Sequence, residues 1–449
     1  MERLPTHVPH LDEILGGGLP EHSTLLVIGA PGTGKTILAS QIAYGNATPE
    51  RRAPIVTTVS EPLARQIRFV QNFAFFDLEK VGAAVLYEDI GAQLLQDRGE
   101  EALAAITELV LQHRPALLVV DSFKAIHDLS ESRPALRWAL YRFSATLATL
   151  PCTTLLVGEY APDGIADMPE ATIVDGIIEL SNRTIGLRDY RSLRVAKLRG
   201  CAYRSGEHAF RITSDGIAVF PRFVTPPTPA VYAASRERAA TGIAGLDELL
   251  HGGLLRGTTT LVVGDPGVGK TVTSLHFLLN GVRQGEPGAY ISFQEDPNQL
   301  AQIARNFGFD LEPWEREGRL AMLYTSPVEL DVDEQVLQIV GAAERVGARR
   351  AVIDSISDFI AGTQQSPERY FNYIYSLAQY FKNRGTTALL TYEISTMFGR
   401  EVLTTGRGVS HIADNVLLMR YRADGARIRR VLAVLRPGAA ATATRRASS

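Results

Sequence analysis

The chain has 449 residues, a formal net charge of −3, and 46 Lys and Arg against 49 Asp and Glu. This near-neutral balance, with no Lys/Arg block, argues against a nucleic-acid arm or a polybasic membrane anchor. Two cysteines, Cys152 and Cys201, exclude a disulfide framework or a cysteine-rich metal site.

No apolar run is long enough to cross a membrane, and Met1-Glu2-Arg3-Leu4-Pro5 lacks the apolar core of a signal peptide. The expectation is a soluble, cytoplasmic protein. Near the start, Leu11-Asp12-Glu13-Ile14-Leu15-Gly16-Gly17-Gly18-Leu19 precedes an apolar, β-branched run from Thr24 to Ile28. That run leads into Gly29-Ala30-Pro31-Gly32-Thr33-Gly34-Lys35-Thr36, which fits G-x-x-x-x-G-K-[ST], the phosphate loop of nucleotide hydrolases. Its glycines let successive N–H groups converge on phosphate oxygens, the Lys reaches the β- and γ-phosphates, and the Thr hydroxyl ligates Mg²⁺. Gly32, Thr33, Gly34, Lys35 and Thr36 are therefore candidate nucleotide-binding residues.

Thr36 to Tyr44 reads as a helix, and Ile55 to Val59 as a strand ending at Ser60-Glu61-Pro62. Glu100 to Gln112 has helical spacing. Ala116 to Ser122 is a continuous apolar strand, as in a parallel sheet covered on both faces. Asp121 at its carboxyl end lies where open α/β sheets bind ligands, and is a candidate partner of Mg²⁺. The bland reading is an Asp capping the next helix. A further apolar strand ends at Gly158-Glu159-Tyr160. Glu159 is placed either to contact the γ-phosphate or its water, or to hydrogen-bond a neighbouring loop. Ile173 to Leu180, Ser192 to Leu198, His208 to Ile212 and Gly216 to Phe220 alternate like antiparallel strands.

The same order then repeats. Leu246-Asp247-Glu248-Leu249-Leu250-His251-Gly252-Gly253-Leu254 and Gly264-Asp265-Pro266-Gly267-Val268-Gly269-Lys270-Thr271 stand at one constant offset from their first copies (246 − 11 = 235 and 264 − 29 = 235). Constant register means a duplicated domain rather than two scattered loops. Gly267, Val268, Gly269, Lys270 and Thr271 are the second set of nucleotide-binding candidates. Ala289 to Phe293 ends at Gln294-Glu295-Asp296-Pro297. Val332 to Val346 is helical, and Ala351 to Ser355 carries Asp354. Glu393 follows another strand, and Asn415 to Tyr421 and Arg427 to Leu435 pair as the last strands. The expected boundaries are 1–222 for the first domain, 223–238 for a Pro/Ala-rich linker, 239–437 for the second domain, and a disordered tail at 438–449.

The Leu-Asp-Glu-x-Leu-x-Gly-Gly-Leu segment, the phosphate loop, the Asp-Ser strand ends and Lys197-Leu198-Arg199-Gly200 together resemble the KaiC family over Leu4 to Phe220 and Thr241 to Arg436. The resemblance implies an α/β fold of two tandem RecA-like P-loop NTPase domains, each a mostly parallel sheet flanked by helices with a small antiparallel extension. It also implies a double-ring homohexamer with ATP between adjacent subunits. One half would mainly hydrolyse ATP, and the other would also autophosphorylate. Thr36, Asp121, Thr271 and Asp354 match the Mg²⁺ residues. Lys197 and Arg199 match a Lys-x-Arg pair that reaches a neighbouring subunit's nucleotide; the bland reading is alternating exposed charges on a strand.

This chain departs from the family at several positions. Where the family has two glutamates after the second strand, the second half has Gln294-Glu295, and the first half has Val59-Ser60-Glu61 with the register open by one residue. Gln cannot accept a proton, so water activation at the second site is weaker or falls to Glu295. By motif spelling, Val434 replaces the Lys of the trans pair while Arg436 survives. Ser410 matches the phosphoserine position, but His411 replaces the neighbouring threonine. The expected function is an Mg²⁺-dependent ATPase with a candidate serine autokinase activity, working as a hexameric signalling or timing module. The alternatives are an ATP-gated scaffold with little turnover and a RecA-like ATPase on DNA, the latter disfavoured by the charge balance.

Overall fold

A computed structural model of the chain describes residues 2–58, 63–130, 132–160, 168–185, 188–224, 236–326, 331–358, 367–394, 412–424, 427–436 and 446–448. It divides into two compact units, Met1–Arg222 and Phe223–Ser449.

In the first unit one sheet runs in the order Gly216–Phe220, Glu207–Thr213, Arg188–Leu198, Gly176–Ile185, Thr24–Ile28, Thr153–Gly158, Leu117–Asp121, Ala53–Thr57, Val85–Asp89. Strands from Gly176–Ile185 to Val85–Asp89 pair in parallel; the remainder form an antiparallel ribbon. The loop strand Thr24–Ile28 is buried at all five positions. Because side chains alternate faces along a strand, Leu25 and Val27 pack with Leu38 and Ile42 of helix Lys35–Asn46. Leu26 and Ile28 pack on the other face with Leu103 and Ile106 of helix Gly91–His113 and Leu136 and Leu140 of helix Arg133–Leu147. Burial on both faces is what an unbroken apolar run requires.

The second unit repeats the plan, in the order Leu320–Tyr324, Gly288–Ser292, Arg350–Asp354, Thr387–Glu393, Thr259–Gly264, Asn415–Asp424, Arg427–Arg436, Arg446–Ser448. Val262 faces helix Lys270–Arg283 through Leu275 and Leu278. Leu261 and Val263 face helices Val332–Val346 and Pro367–Asn383. The two units are thus mostly parallel sheets flanked by helices, with an antiparallel extension at one side.

Two expectations are corrected, and two edge strands are added. The segment from Ile173 to Leu180 is not antiparallel throughout: Gly176–Ile185 runs parallel to Thr24–Ile28 on one side and antiparallel to Arg188–Leu198 on the other. Its first half is buried on both faces, and only its outer half projects as a ribbon. Edge strands Val85–Asp89 and Leu320–Tyr324, short and half-buried, carry too little alternation to be read from sequence. Finally, within the segment read as a disordered tail, Arg446–Ser448 pair antiparallel with Val431 to Ala433.

Candidate functional site: two phosphate loops and their acidic strand ends

Each loop joins the carboxyl end of a central strand to the first turn of a helix, Lys35–Asn46 or Lys270–Arg283. The residue before each helix is a glycine in the left-handed region, Gly34 at φ 101° and Gly269 at φ 111°, a conformation that costs other residues energy. Glycine in that conformation is what lets the backbone N–H groups of a phosphate loop converge on an anion. Gly29 is packed tightly, since a Cβ there would come 2.3 Å from the Leu180 carbonyl oxygen. Gly29→Ala is therefore expected to lower stability by about 1–3 kcal/mol, read as a lower melting temperature of the full chain.

Between the loop strand and the Asp121 strand lies one other strand, Thr153–Gly158, so the loop helix and Asp121 meet across it. Thr36 Oγ1 donates to Asp121 Oδ2 at 2.6 Å, and Thr271 Oγ1 to Asp354 Oδ2 at 2.8 Å. The peptide bonds Asp121–Ser122 and Asp354–Ser355 are both cis. The helix after Asp121, Phe123–Asp128, has Ser122 at its N-cap with no side-chain cap.

Lys35 Nζ donates to Ala30 O at 2.9 Å, and Lys270 Nζ to Gly264 O and Asp265 O at 3.1 and 2.9 Å. Burial pushes the Lys35 ammonium below its ordinary range, while the carboxylates of Glu159 and Asp121 pull against that shift. Glu393 Oε2 lies 3.5 Å from Lys270 Nζ. Both post-strand glutamates thus face the loop lysine. The hydroxyl and carboxylate oxygens are hard donors of the kind Mg²⁺ takes, and a Cβ at Gly32 would meet nothing within 4 Å, leaving open space over the loop. The residues present fit a nucleotide phosphate with its Mg²⁺.

The second site holds groups that the sequence did not single out. Tyr290, fully buried, donates to Asp354 Oδ2 at 2.7 Å, and Thr391 Oγ1 donates to Asp354 Oδ1. Asp358, four residues beyond Asp354, accepts a hydrogen bond from Gln294; burial raises its carboxyl, as do Asp354 and Glu393. Glu295 is likewise raised, first by burial and then by Asp354, with Lys270 opposing. Cross-strand register could have found Thr391, which neighbours Asp354 one step beyond the Ile353–Leu390 pair.

Lys197 Nζ and Arg199 Nη2 donate at 2.9 Å to the carbonyls of Ala171 and Thr172, at the end of helix Pro169–Ile173 of their own chain. The correspondence Val434-for-Lys is corrected by strand register. Lys197 stands opposite Ile177 and Val195 opposite Ile178, with Ala196 bulged out; Arg436 stands opposite Val416 and Val434 opposite Leu417, with Leu435 bulged out. Ile177 and Val416 lie beside Leu26 and Leu261, which match one another at the constant offset of the two copies (261 − 26 = 235). Arg436 is the counterpart of Lys197, and Val434 that of Val195. Glu61, Ser410 and His411 lie outside the described residues.

Sheet order, duplicated loops and acidic strand ends define a tandem P-loop ATPase with two RecA-like domains. The sequence model of the family described as ATPase: KaiC matches residues 4–223 and 239–446, and the chain belongs to that family. Membership implies nucleotide binding. The circadian clock oscillator protein KaiC of Picosynechococcus sp. is 28% identical over 439 residues, spanning 94% of this chain and 82% of the relative. KaiC 1 of Synechocystis sp. is similar to the same extent, and KaiC of Acaryochloris marina is 28% identical over 431 residues, 93% of this chain and 81% of its own. Among the described residues no helix is long and apolar enough to cross a membrane.

Proposed function

We propose that the chain is an Mg²⁺-dependent ATPase that binds ATP at both loops, turns it over mainly at the first, and works as a homo-oligomer, a hexamer by family resemblance, in the cytoplasm. The observation that carries this reading is the duplicated hydroxyl–carboxylate pair, Thr36–Asp121 and Thr271–Asp354, at the mouth of each phosphate loop. With its hydroxyl proton occupied by the carboxylate, each threonine oxygen turns its lone pairs outward. When bound there, Mg²⁺ neutralises charge on the β- and γ-phosphates. Lys35 and Lys270 leave their loop carbonyls to meet the phosphates. Glu61 in the first half and Glu295 in the second are the candidate bases. A raised carboxyl such as Glu295 is a better proton acceptor than an ordinary one, whereas Gln294 orients Asp358.

Lys197, Arg199 and Arg436 are proposed to reach a neighbouring subunit's nucleotide, where a cation would offset charge on the transferring group. Ser410 is the candidate phosphosite. The relatives' role, a circadian clock oscillator, supports a signalling or timing output. Of the cations that a nucleic-acid groove would use, Lys124 is paired with Asp128, Arg369 with Asp333, Lys382 with Asp414 and Arg384 with Glu344, whereas Arg133, Arg137 and Arg142, in the sequence stretch after Asp121, are left to the DNA alternative.

The test is to incubate the protein with Mg²⁺ and γ-labelled ATP and count released phosphate and protein-bound label separately. Phosphate release that needs Mg²⁺ is the expected result. Label on the protein that vanishes in Ser410→Ala adds the autokinase activity, whereas absence of both signals would leave only an ATP-gated scaffold.

A further inference from the structure

The two acidic strand ends are alike in sequence and unlike in surroundings. Asp354 is buried, and its carboxylate takes three hydroxyl donors, Thr271 and Tyr290 on Oδ2 and Thr391 on Oδ1. Register identifies the matching places in the first unit. Tyr290 lies two residues before Ser292, which pairs with Asp354; Ile55 lies two residues before Thr57, which pairs with Asp121. Thr391 pairs with Val262 of the loop strand, and Val157 pairs with the equivalent Val27. Where the second unit has a phenol and a hydroxyl, the first has two aliphatic side chains.

The terminal torsion of an aspartate is broad, so its own rotamer preference leaves the plane of the carboxylate loosely set. Donors on both oxygens fix that plane. Fixing it holds Oδ2 on the Thr271 hydroxyl and keeps one edge of the carboxylate available to a water in a cation's shell. The local charge acts in the same direction. Glu295 and Asp358 each feel the Asp354 carboxylate and one another, Asp358 also feels Glu393, and Lys270 is the ammonium beside Glu295 and Glu393; the position matching Asp358 in the first unit is Ala125. A site with surplus carboxylate favours a divalent cation.

We propose that Tyr290 and Thr391 are positioning residues that fix Asp354 and make the second site retain Mg²⁺ and nucleotide more firmly than the first. The proposal rests on nucleotide binding at both loops. It gives the Gln294 site a purpose that does not need rapid turnover: holding one nucleotide in a chain that turns over another.

The test uses the full-length chain, a non-hydrolysable ATP analogue and an Mg²⁺ titration, with retained analogue counted after rapid desalting. In a Lys35→Ala background, where the signal reports the second site, Tyr290→Phe with Thr391→Val is expected to raise the Mg²⁺ concentration for half-retention about tenfold, the usual cost of removing groups that orient a metal's ligand. In a Lys270→Ala background the same pair is expected to leave the first-site midpoint within about twofold. Thr391→Val alone is expected to give part of that shift, Thr391→Ser, which keeps the donor, to give little of it, and melting without Mg²⁺ checks that each variant is folded. An unchanged second-site midpoint, equal shifts in both backgrounds, or a shift for Thr391→Ser as large as for Thr391→Val would overturn the positioning role. A Lys35→Ala protein that retains no analogue at any Mg²⁺ concentration would instead overturn two-site binding, and this proposal with it.

Discussion

Lys35→Ala is expected to lower phosphate release about 100-fold or more, while Lys270→Ala leaves most of it. The loop lysine supplies a charged donor aimed at the transferring group, and removing one such donor in a water-poor site typically costs two to three orders of magnitude in rate. Asymmetry follows from what surrounds each lysine. In the first half, Lys35 is flanked by Asp121 and Glu159, and the proposed base is Glu61. In the second, Gln294 stands where the resemblance places the first glutamate, and of that pair Glu295 alone carries a carboxylate. Initial rates at saturating ATP in the presence of Mg²⁺ decide the matter. Equal losses in the two variants would mean that Glu295 supports turnover as well as its counterpart does, and the division of labour between halves would fall.

Glu286→Ala is expected to destabilise the second unit by roughly 3–5 kcal/mol, the cost of stranding a buried charge. Arg350 begins the strand that ends in Asp354 and is fully buried. Its guanidinium bonds Glu286 at 2.7 Å, reaches the carbonyls of Ala240 and Phe277 at 2.6 and 2.7 Å, and lies over the Phe277 ring. Arg256 holds the other oxygen of Glu286 at 2.5 Å. Without the carboxylate, Arg350 keeps its charge and loses its counterion. For a unit of this size each kcal/mol is worth about 2–4 °C, so the melting temperature is expected to drop by roughly 6–20 °C.

The pH dependence carries its own sign. Burial pushes the Glu286 carboxyl up, but the two arginines outweigh it and hold the carboxyl below its ordinary value of 4.5. A depressed acid contributes stability above its unfolded pKa and loses it as pH falls through the folded one. The gap between wild type and Glu286→Ala is therefore expected to be full at neutral pH and to narrow as the pH is taken below about 4.5. A gap independent of pH would mean that the loss is one of packing.

Much of the site was legible because the phosphate loop is a local device. The spacing of Gly29, Gly34, Lys35 and Thr36 dictates backbone geometry within a few residues, and the apolar runs before Asp121 and Asp354 could only be strands covered on both faces. What sequence did not disclose depends on which strands become neighbours. Tyr290 reads as one more aromatic in a buried strand until Gly288–Ser292 is laid beside Arg350–Asp354. Thr391 is similarly silent, and the parallel pairing of Gly176–Ile185 with Thr24–Ile28 reverses the direction its alternation suggested. Asp358 was passed over because no motif asks for a carboxylate there.

The bulges at Ala196 and Leu435 have a practical consequence for anyone moving a substitution from one half to the other. Because side chains repeat every second residue along a strand, a slip of two positions leaves every side chain on its proper face and so raises no steric alarm. Matching the halves by spelling would pair Arg436 with Arg199 and look plausible at every step. The hydrogen-bond ladder pairs it with Lys197 instead. A charge removed at Lys197 in the first half therefore has its true counterpart in Arg436→Ala, and an engineered change at Val434 would probe the core rather than the cation.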